Sequence, residues 1–506
     1  MLKLDYEMKN NLTISAARKG LASGEFSSFE LTKYYLDKIE QNVDLNAFVT
    51  IDREKSLLAA QKADKEIAGG TDLPLLGIPI AIKDLFCTNG IRTTACSKML
   101  YDFVPRYEST VTQNLLNDGA VFLGKTNMDE FAMGSANITS CFGPCFLPFR
   151  KKSNPTSKLV PGGSSGGSAS SVASDLCVAA TASDTGGSIR QPASFSGLVG
   201  IKPTYGLCSR WGMISFASSF DQAGPITKTV EDAGIMLKSM AGFDPKDSTS
   251  ANTNIPDYQK CLGRPIKGLK IGIVAEFMDG LSQENLELIE RACSWLKDNG
   301  CEIIDLSLRT IPYALPAYYI IAPAEASSNL ARYDGVRYGY RADGCKTVDE
   351  LFVKSRSEGF GEEVKRRIMT GTYVLSAGCY DAYYLKALKI REIINIDLQT
   401  NAFSKVDAIL LITTTRTAFS IEESNNMTPI EMYLSDVFTV TANIAGLPGI
   451  SIPVGLSDDG LPMGVQLIGN KFQEEILFRI AYVLEKCANF RELKKSILVE
   501  DTVYNE

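Results

Sequence analysis

A lysine and two glycine-flanked serines stand out as the side chains able to do chemistry. Lys83 ends a short apolar run, residues 73–82 (LPLLGIPIAI). Ser164 sits within Gly162-Gly163-Ser164-Ser165-Gly166-Gly167-Ser168, and Ser188 closes Asp184-Thr185-Gly186-Gly187-Ser188. Gly-Gly-Ser at the end of a buried strand makes a tight turn. Successive N–H groups of such a turn can converge on the negative charge that develops in a tetrahedral intermediate. The serine at its end is placed to attack, provided that a base takes its proton. The chain has 506 residues and not one histidine. That excludes a Ser-His-Asp triad, a Cys-His pair and histidine-ligated zinc or haem. A lysine serves as base when burial or neighbouring positive potential lowers its pKa until it is neutral. Lys83 is the candidate, with one of the serines between Gly162 and Ser168 as proton relay.

Other readings of the same residues fail. The AIKD around Lys83 is like a kinase strand lysine, but the kinase catalytic loop begins with histidine and no DFG is present. PGGSSGGS lacks the GK[ST] ending of a phosphate loop. The 12 cysteines are scattered and form no CxxC pair. They read as reduced, mostly buried thiols rather than a disulfide frame or a zinc site. A net charge of −7 suits poorly a chain that would grip a phosphate backbone by itself. The first twenty residues carry acids and no apolar core, unlike a secretory signal. The longest uncharged stretches are rich in Gly, Ser, Thr and Pro, unlike membrane spans. The expectation is a soluble, cytoplasmic protein.

The elements that must position these residues alternate between strand and helix. Ser27-x-x-Glu30 is a capping box, and Leu31, Tyr35 and Ile39 follow at helical spacing. Residues 53–68 are helix-forming and stop at Gly69-Gly70. Residues 73–82 are a buried strand that delivers Lys83-Asp84, and a second strand starts near Ala120. The glycine-serine run has a linker's composition. It leads directly into a helical stretch, 169–175, and a buried strand, 177–182, so it is not a linker. Residues 269–275, 284–297 and 302–306 make a βαβ-like unit, and 406–413 another strand. Residues 450–456 and 463–468 flank Asp459-Gly460 as a hairpin, with Pro453 marking an edge position or a bulge. A last amphipathic helix covers about 474–487. The expectation is α/β, a central mixed sheet covered by helices on both faces. No repeat or convincing linker interrupts it, so 1–506 reads as one domain, with about 1–68 a helical segment packed on it.

Three segments together resemble the amidase signature family: GIPIAIKD around Lys83, PGGSSGGSA from Pro161, and SDTGGSIRQPASFSGLVGIKPTYG from Ser183. KTNMDEFAMGS, SRWGMISFASSFDQAGPIT, SEGFGEEVKRRI and ANIAGLPGISIP extend the resemblance over nearly the whole chain. Within the family they look like the glutamine-hydrolysing A subunits of tRNA-dependent amidotransferases. The resemblance implies the amidase signature fold and a Ser-cisSer-Lys triad. Ser188 is then the acyl-forming nucleophile. Ser164, after a cis peptide from Gly163, bridges it to a neutral Lys83. Backbone N–H groups of Thr185, Gly186, Gly187 and Ser188 form the oxyanion hole, and Asp184 and Arg190 hold the turn as an ion pair.

A glutamine site needs a cation for the α-carboxylate and an anion for the α-ammonium. By resemblance these are Arg367 in VKRRI and Asp436 in MYLSDVF, with Tyr318 in PAYYI lining the pocket; Arg366 and Tyr319 are the adjacent alternatives. The implied partners are a B-type subunit that binds tRNA and uses ATP and magnesium, and a small C-type subunit, making a heterotrimer. No cofactor or metal is expected in this chain. The choice between Glu-tRNA and Asp-tRNA stays open. The alternative reading is a stand-alone amidase acting on a small or aryl amide. One departure from the family is the extra stretch CFLPFRKKS between Pro144 and Asn154. Another is Ala136-Asn137-Ile138, where the family is more polar. Both lie near the expected pocket and neither touches Lys83, Ser164 or Ser188.

Overall fold

The structure, a computed structural model, describes residues 12–497. The reading of the N-terminus as no secretory signal, and both ends of the 1–506 span, lie partly outside those residues. Among the described residues, eleven strands form a single mixed sheet. They are β1 Phe48–Ile51, β2 Pro79–Lys83, β3 Val121–Thr126, β4 Ala179–Asp184, β5 Val199–Lys202 and β6 Gln222–Thr227, followed by β7 Lys270–Val274, β8 Glu302–Leu306, β9 Ala408–Ile412, β10 Gly449–Leu456 and β11 Pro462–Gly469. Their order across the sheet is β1-β3-β2-β4-β6-β5-β10-β11-β9-β7-β8. The β3-β2-β4 and β9-β7-β8 groups are parallel. The strands between are joined antiparallel. Every residue of β2, β4, β5, β6, β9 and β11 is buried. Strands buried on both faces read as continuous apolar or small-residue runs, and helices cover both faces as expected.

Most elements lie where the pattern placed them. The Ser27/Glu30 capping box starts the helix Ser28–Gln41, and the βαβ unit comprises β7, the helix Gln283–Asp298 and β8. Three differences have physical causes. The N-terminal segment is not wholly helical, because β1 leaves it and pairs antiparallel with β3 at the sheet edge. Pro453 is not on an edge strand, since β10 lies between β5 and β11. It is tolerated because β5 pairs only with Gly449–Ser451, and the register against β11 shifts between Pro453 and Gly455, a bulge. Strands β5 (VGIK) and β6 (QAGPIT) gave no apolar run to detect, being short and rich in Gly, Pro and polar residues.

The topology sets up the site. Strands β2 and β4 are parallel neighbours, so their C-terminal ends, Lys83 and Asp184, emerge at the same edge of the sheet. The helix Gly166–Ala173 begins inside the glycine-serine run with Ser165 as its N-cap, and residues 162–168 are all buried. On the opposite wall, the helix Ala314–Leu330 carries Tyr318 and Tyr319, and the helix Glu362–Val374 carries Arg367. These two helices touch backbone to backbone at Gly371, where a Cβ would lie 1.9 Å from the Pro323 carbonyl oxygen. A rigid carbonyl cannot swing aside. Replacing Gly371 by Ala is therefore expected to push the helices apart and destabilise the chain by about 1–3 kcal/mol, the usual range for overpacking. A thermal melt of the variant checks this; an unchanged or raised midpoint would show that the contact yields freely.

Candidate active site

Lys83 is fully buried, and its Nζ lies 2.8 Å from each of three hydroxyls, those of Ser164, Ser165 and Ser183. Among the described residues it makes no ion pair. Burial lowers its pKa to about 7, and the negative potential of Asp129, Asp184 and Asp221 opposes that shift without reversing it. A neutral amine has two N–H donors and one lone pair. Ser165 Oγ donates to the Ser183 carbonyl at 3.1 Å, so towards Lys83 it is an acceptor. That leaves Ser164 or Ser183 to supply the hydroxyl proton that the lone pair accepts.

The two glycine-serine turns meet through backbone. The Gly163–Ser164 peptide is cis. The Ser165 N–H donates to the Ser188 carbonyl at 3.3 Å. Gln191 reinforces the join, accepting from the Gly163 N–H at 2.8 Å and donating to the Ser135 carbonyl at 2.8 Å. Ser188 retains slight exposure, 9%, whereas Ser164 has none. The Ser188 hydroxyl makes no hydrogen bond among the described residues. The structure thus brings Lys83 and Ser164 into direct contact and sets Ser188 beside them.

A buried carboxylate organises the Ser188 turn. Asp184 accepts from the N–H groups of Gly187 (2.9 Å) and Ile189 (3.2 Å), from Arg190 Nε and Nη2 (both 3.0 Å) and from Asn443 Nδ2 (2.8 Å). Arg190 spends its other donors on the Thr439 carbonyl (2.9 Å), Gln466 Oε1 (3.0 Å) and Asn443 Oδ1 (2.7 Å). Burial alone would raise the Asp184 pKa, but Arg190 outweighs it and the value falls to about 2. The expected ion pair is therefore present and fully buried. It also takes up one of the N–H groups expected to serve as oxyanion donors. The Gly187 N–H is committed to Asp184, the strongest acceptor in reach, while those of Thr185, Gly186 and Ser188 donate to no group among the described residues.

The pocket residues divide similarly. Arg367 is buried; its Nε donates to Glu363 Oε1 at 2.8 Å, and its guanidinium lies 5.3–5.5 Å from the rings of Phe216, Tyr319 and Tyr433. Arg366 is half-exposed and pairs with the other oxygen of Glu363, so Arg367 is the arginine that faces inward. Asp436 accepts from Tyr319 Oη at 2.8 Å and from Ser135 Oγ at 3.1 Å. Burial raises its pKa to about 6 against the pull of Tyr319, Arg367 and Ser135. Both tyrosines of the PAYYI segment take part. Tyr319 joins Asp436 and stacks on Tyr433 at 4.2 Å, while the Tyr318 hydroxyl packs where a Cβ on Gly186 would come within 2.6 Å. Sequence reasoning left Ser165 among the possible relay serines and missed Ser183, Ser135, Tyr433, Phe216, Asn443 and Gln466. All but Gln466 lay inside quoted segments, Ser135 in KTNMDEFAMGS, Phe216 in SRWGMISFASSFDQAGPIT, Tyr433 in MYLSDVF and Asn443 in ANIAGLPGISIP, but no local signal singled them out there.

The extra stretch after Pro144 runs to the far hairpin. Lys151 pairs with Glu423 at 2.9 Å, and the Lys152 N–H donates to the Asp459 carbonyl at 3.1 Å. A cavity of about 1350 Å³ lies beyond Cys87 and Met213, lined by Tyr101, Tyr107, Tyr333 and Tyr338. None of Lys83, Ser164, Ser188, Arg367 or Asp436 lines it, so its size does not mark the site.

A buried lysine on paired serines thus lies beside a serine turn with unspent N–H groups, in a chain without histidine. The chain belongs to the amidase family, whose model matches residues 30–478. It is 59% identical over 478 residues to the A subunit of the glutamyl-tRNA(Gln) amidotransferase of Xanthobacter autotrophicus, covering 94% of this chain and 96% of that one. It is 58% identical to the protein of the same name from Rhizobium meliloti, covering 94% and 97%. Among solved structures it is similar to the A subunit of the glutamyl-tRNA(Gln) amidotransferase of Thermotoga maritima, with a TM-score of 0.77 and 38% identity over 96% of each chain. The native peptide amidase of Stenotrophomonas maltophilia gives a TM-score of 0.79 at 28% identity, over 94% and 97%. No helix among the described residues is long and apolar enough to cross a membrane.

Asp184 and Arg190 lie at zero exposure, so removing one strands the other. Asp184→Asn is expected to destabilise the chain by about 3–5 kcal/mol, the cost typical of breaking a buried pair. Chemical denaturation measures it; a loss under about 1 kcal/mol would mean that Asn443 and Gln466 satisfy Arg190 unaided.

Proposed function

We propose that this chain is the glutaminase subunit of a tRNA-dependent amidotransferase, hydrolysing glutamine to glutamate and ammonia. A B-type subunit, which binds tRNA and uses ATP and magnesium, takes the ammonia to convert Glu-tRNA(Gln) to Gln-tRNA(Gln). A small C-type subunit completes the heterotrimer. The observation that carries glutamine over a plain amide is the inward Arg367 and the buried Asp436, bridged by Tyr319. One cation and one anion on a shared tyrosine match an amino-acid head group. The names of the similar proteins support the assignment to an assembly.

Ser188 Oγ attacks the side-chain amide carbon. Its proton passes to Ser164 Oγ as the Ser164 proton passes to the Lys83 lone pair. The amide oxygen becomes an oxyanion and takes the free N–H groups of Thr185, Gly186 and Ser188. Collapse expels ammonia, with the proton on Lys83 returning to the leaving nitrogen through Ser164. Ser188 is left as a γ-glutamyl ester. Water then attacks with the same relay as base, releasing glutamate.

Ser188→Ala is expected to abolish glutamine-dependent transamidation by the assembled complex and to leave ammonium-supported transamidation intact; loss of both would sink the role. Lys83 works only when neutral, so kcat/KM should climb with pH through about 7 and be lost below it. The Asp436 carboxyl is protonated on falling through about pH 6, which should weaken glutamine binding there. Lys83→Arg, charged at every accessible pH, should lose on the order of 10²–10⁴-fold in rate, the usual share of a general base. A pH–rate profile of glutaminase activity tests both limbs. An upper limb near pH 7 surviving in Lys83→Arg would mean that another group is the base.

A further inference from the structure

Thr439 lies three residues beyond Asp436, just before the helix Val440–Ile444, and is fully buried. Its Oγ1 is 2.6 Å from the Gly186 carbonyl oxygen and 3.0 Å from the Asp436 carbonyl oxygen. One hydroxyl proton thus faces two acceptors, one on the Ser188 turn and one on the segment carrying the pocket carboxylate. The Thr439 N–H donates to the Asp436 carbonyl at 3.0 Å, and the Thr439 carbonyl accepts from Arg190 Nη1 at 2.9 Å. The contact is close. Gly187 has φ +135°, and a Cβ there would lie 2.2 Å from Thr439 Oγ1. Only glycine fits, for conformation and for space. The Gly186–Gly187 peptide is held at both ends, its carbonyl by Thr439 and its N–H by Asp184. Its neighbours bear the unspent N–H groups of Gly186 and Ser188, so their directions depend on that clamp.

We propose that Thr439 is a positioning residue that couples recognition of the substrate α-ammonium at Asp436 to the alignment of the oxyanion turn, and thereby selects amino-acid amides over plain ones. The proposal rests on the glutamine reading above. An ammonium bound by Asp436 fixes the Asp436–Thr439 turn, and the hydroxyl then stays on Gly186. An amide without the ammonium leaves the turn free, and the same proton is shared with the Asp436 carbonyl. Binding energy far from the scissile bond is thus used in the transition state rather than in substrate affinity.

The test compares hydrolysis of glutamine with that of glutaramate, which has the same chain, carboxylate and terminal amide but no ammonium. The full chain is assayed with the partners that co-purify. Thr439→Val removes the hydroxyl at nearly constant volume. It should lower kcat for glutamine on the order of tenfold or more with KM within about twofold, since the loss falls on the transition state. Glutaramate should be affected far less, so the preference for glutamine shrinks, and Thr439→Ser should restore it. A merely structural role would lower both substrates alike, and that result overturns the proposal, as does a raised KM at constant kcat. If the valine variant melts below the assay temperature, Thr439→Ala gives the same readout without a branched side chain. A wild type indifferent to the ammonium removes the glutamine reading and this proposal together. A preference that survives Thr439→Val removes this proposal alone.

Discussion

The architecture around the site hangs on the buried pair of Asp184 and Arg190. Taking two charges out of water costs several kcal/mol per ion, and the fold offsets that by leaving few of their hydrogen-bonding positions unfilled. The carboxylate takes two N–H groups of its own turn, the guanidinium and Asn443. The guanidinium reaches on to Gln466 in β11 and to the Thr439 carbonyl. The end of β4, the Ser188 turn, the middle of the sheet and the segment after Asp436 therefore share one anchor. The Ser188 turn, built from Thr, Gly, Gly and Ser, has almost no side chain with which to hold itself. Its rigidity is borrowed from this pair.

Lys83 shows the opposite electrostatic solution. Lys125, one strand over, is as deeply buried but has the Asp84 carboxylate at 3.7 Å. Lys83 has hydroxyls only. With no anion in contact, burial pushes it toward the neutral form, the form a base requires. A lowered pKa alone does not identify the base, since burial also brings Lys202 to about 7. Lys202, however, donates to the Pro203 carbonyl and touches no serine. The distinction is geometric: among these three buried lysines only Lys83 sits on hydroxyls that adjoin the Ser188 turn.

Lys83, Ser164 and Ser188 were legible in the sequence because each ends or begins an element with a strong local signature. An apolar strand runs into the lysine, and paired glycines precede each serine. The parallel pairing of β2 and β4, which makes those signatures neighbours, was not legible, since the α/β pattern implied only a mixed sheet. Strands β5 and β6 escaped because they are short and their few apolar residues are broken up by Gly, Pro and polar ones. The bond from the Gly187 N–H to Asp184, three residues back, was not legible, because a string of letters does not say which way a peptide plane faces. Tyr318 and Tyr319 could not be ranked by spacing. They are adjacent on one helix, and the structure uses both, one against Gly186 and one against Asp436.

The absence of histidine also has a structural consequence. An imidazole carries its own rigid ring and needs one partner to fix its tautomer. A lysine ends in a freely rotating amine on a flexible stem, so its lone pair has direction only if its other positions are occupied. Ser165, committed as an acceptor by its bond to the Ser183 carbonyl, fills one of them. The remaining N–H and the lone pair are then divided between Ser183 and Ser164. When Ser183 accepts, the lone pair turns to Ser164, the orientation that the proposed relay towards Ser188 requires. On the proposed mechanism the serines around Lys83 do collectively what one imidazole ring does by its shape.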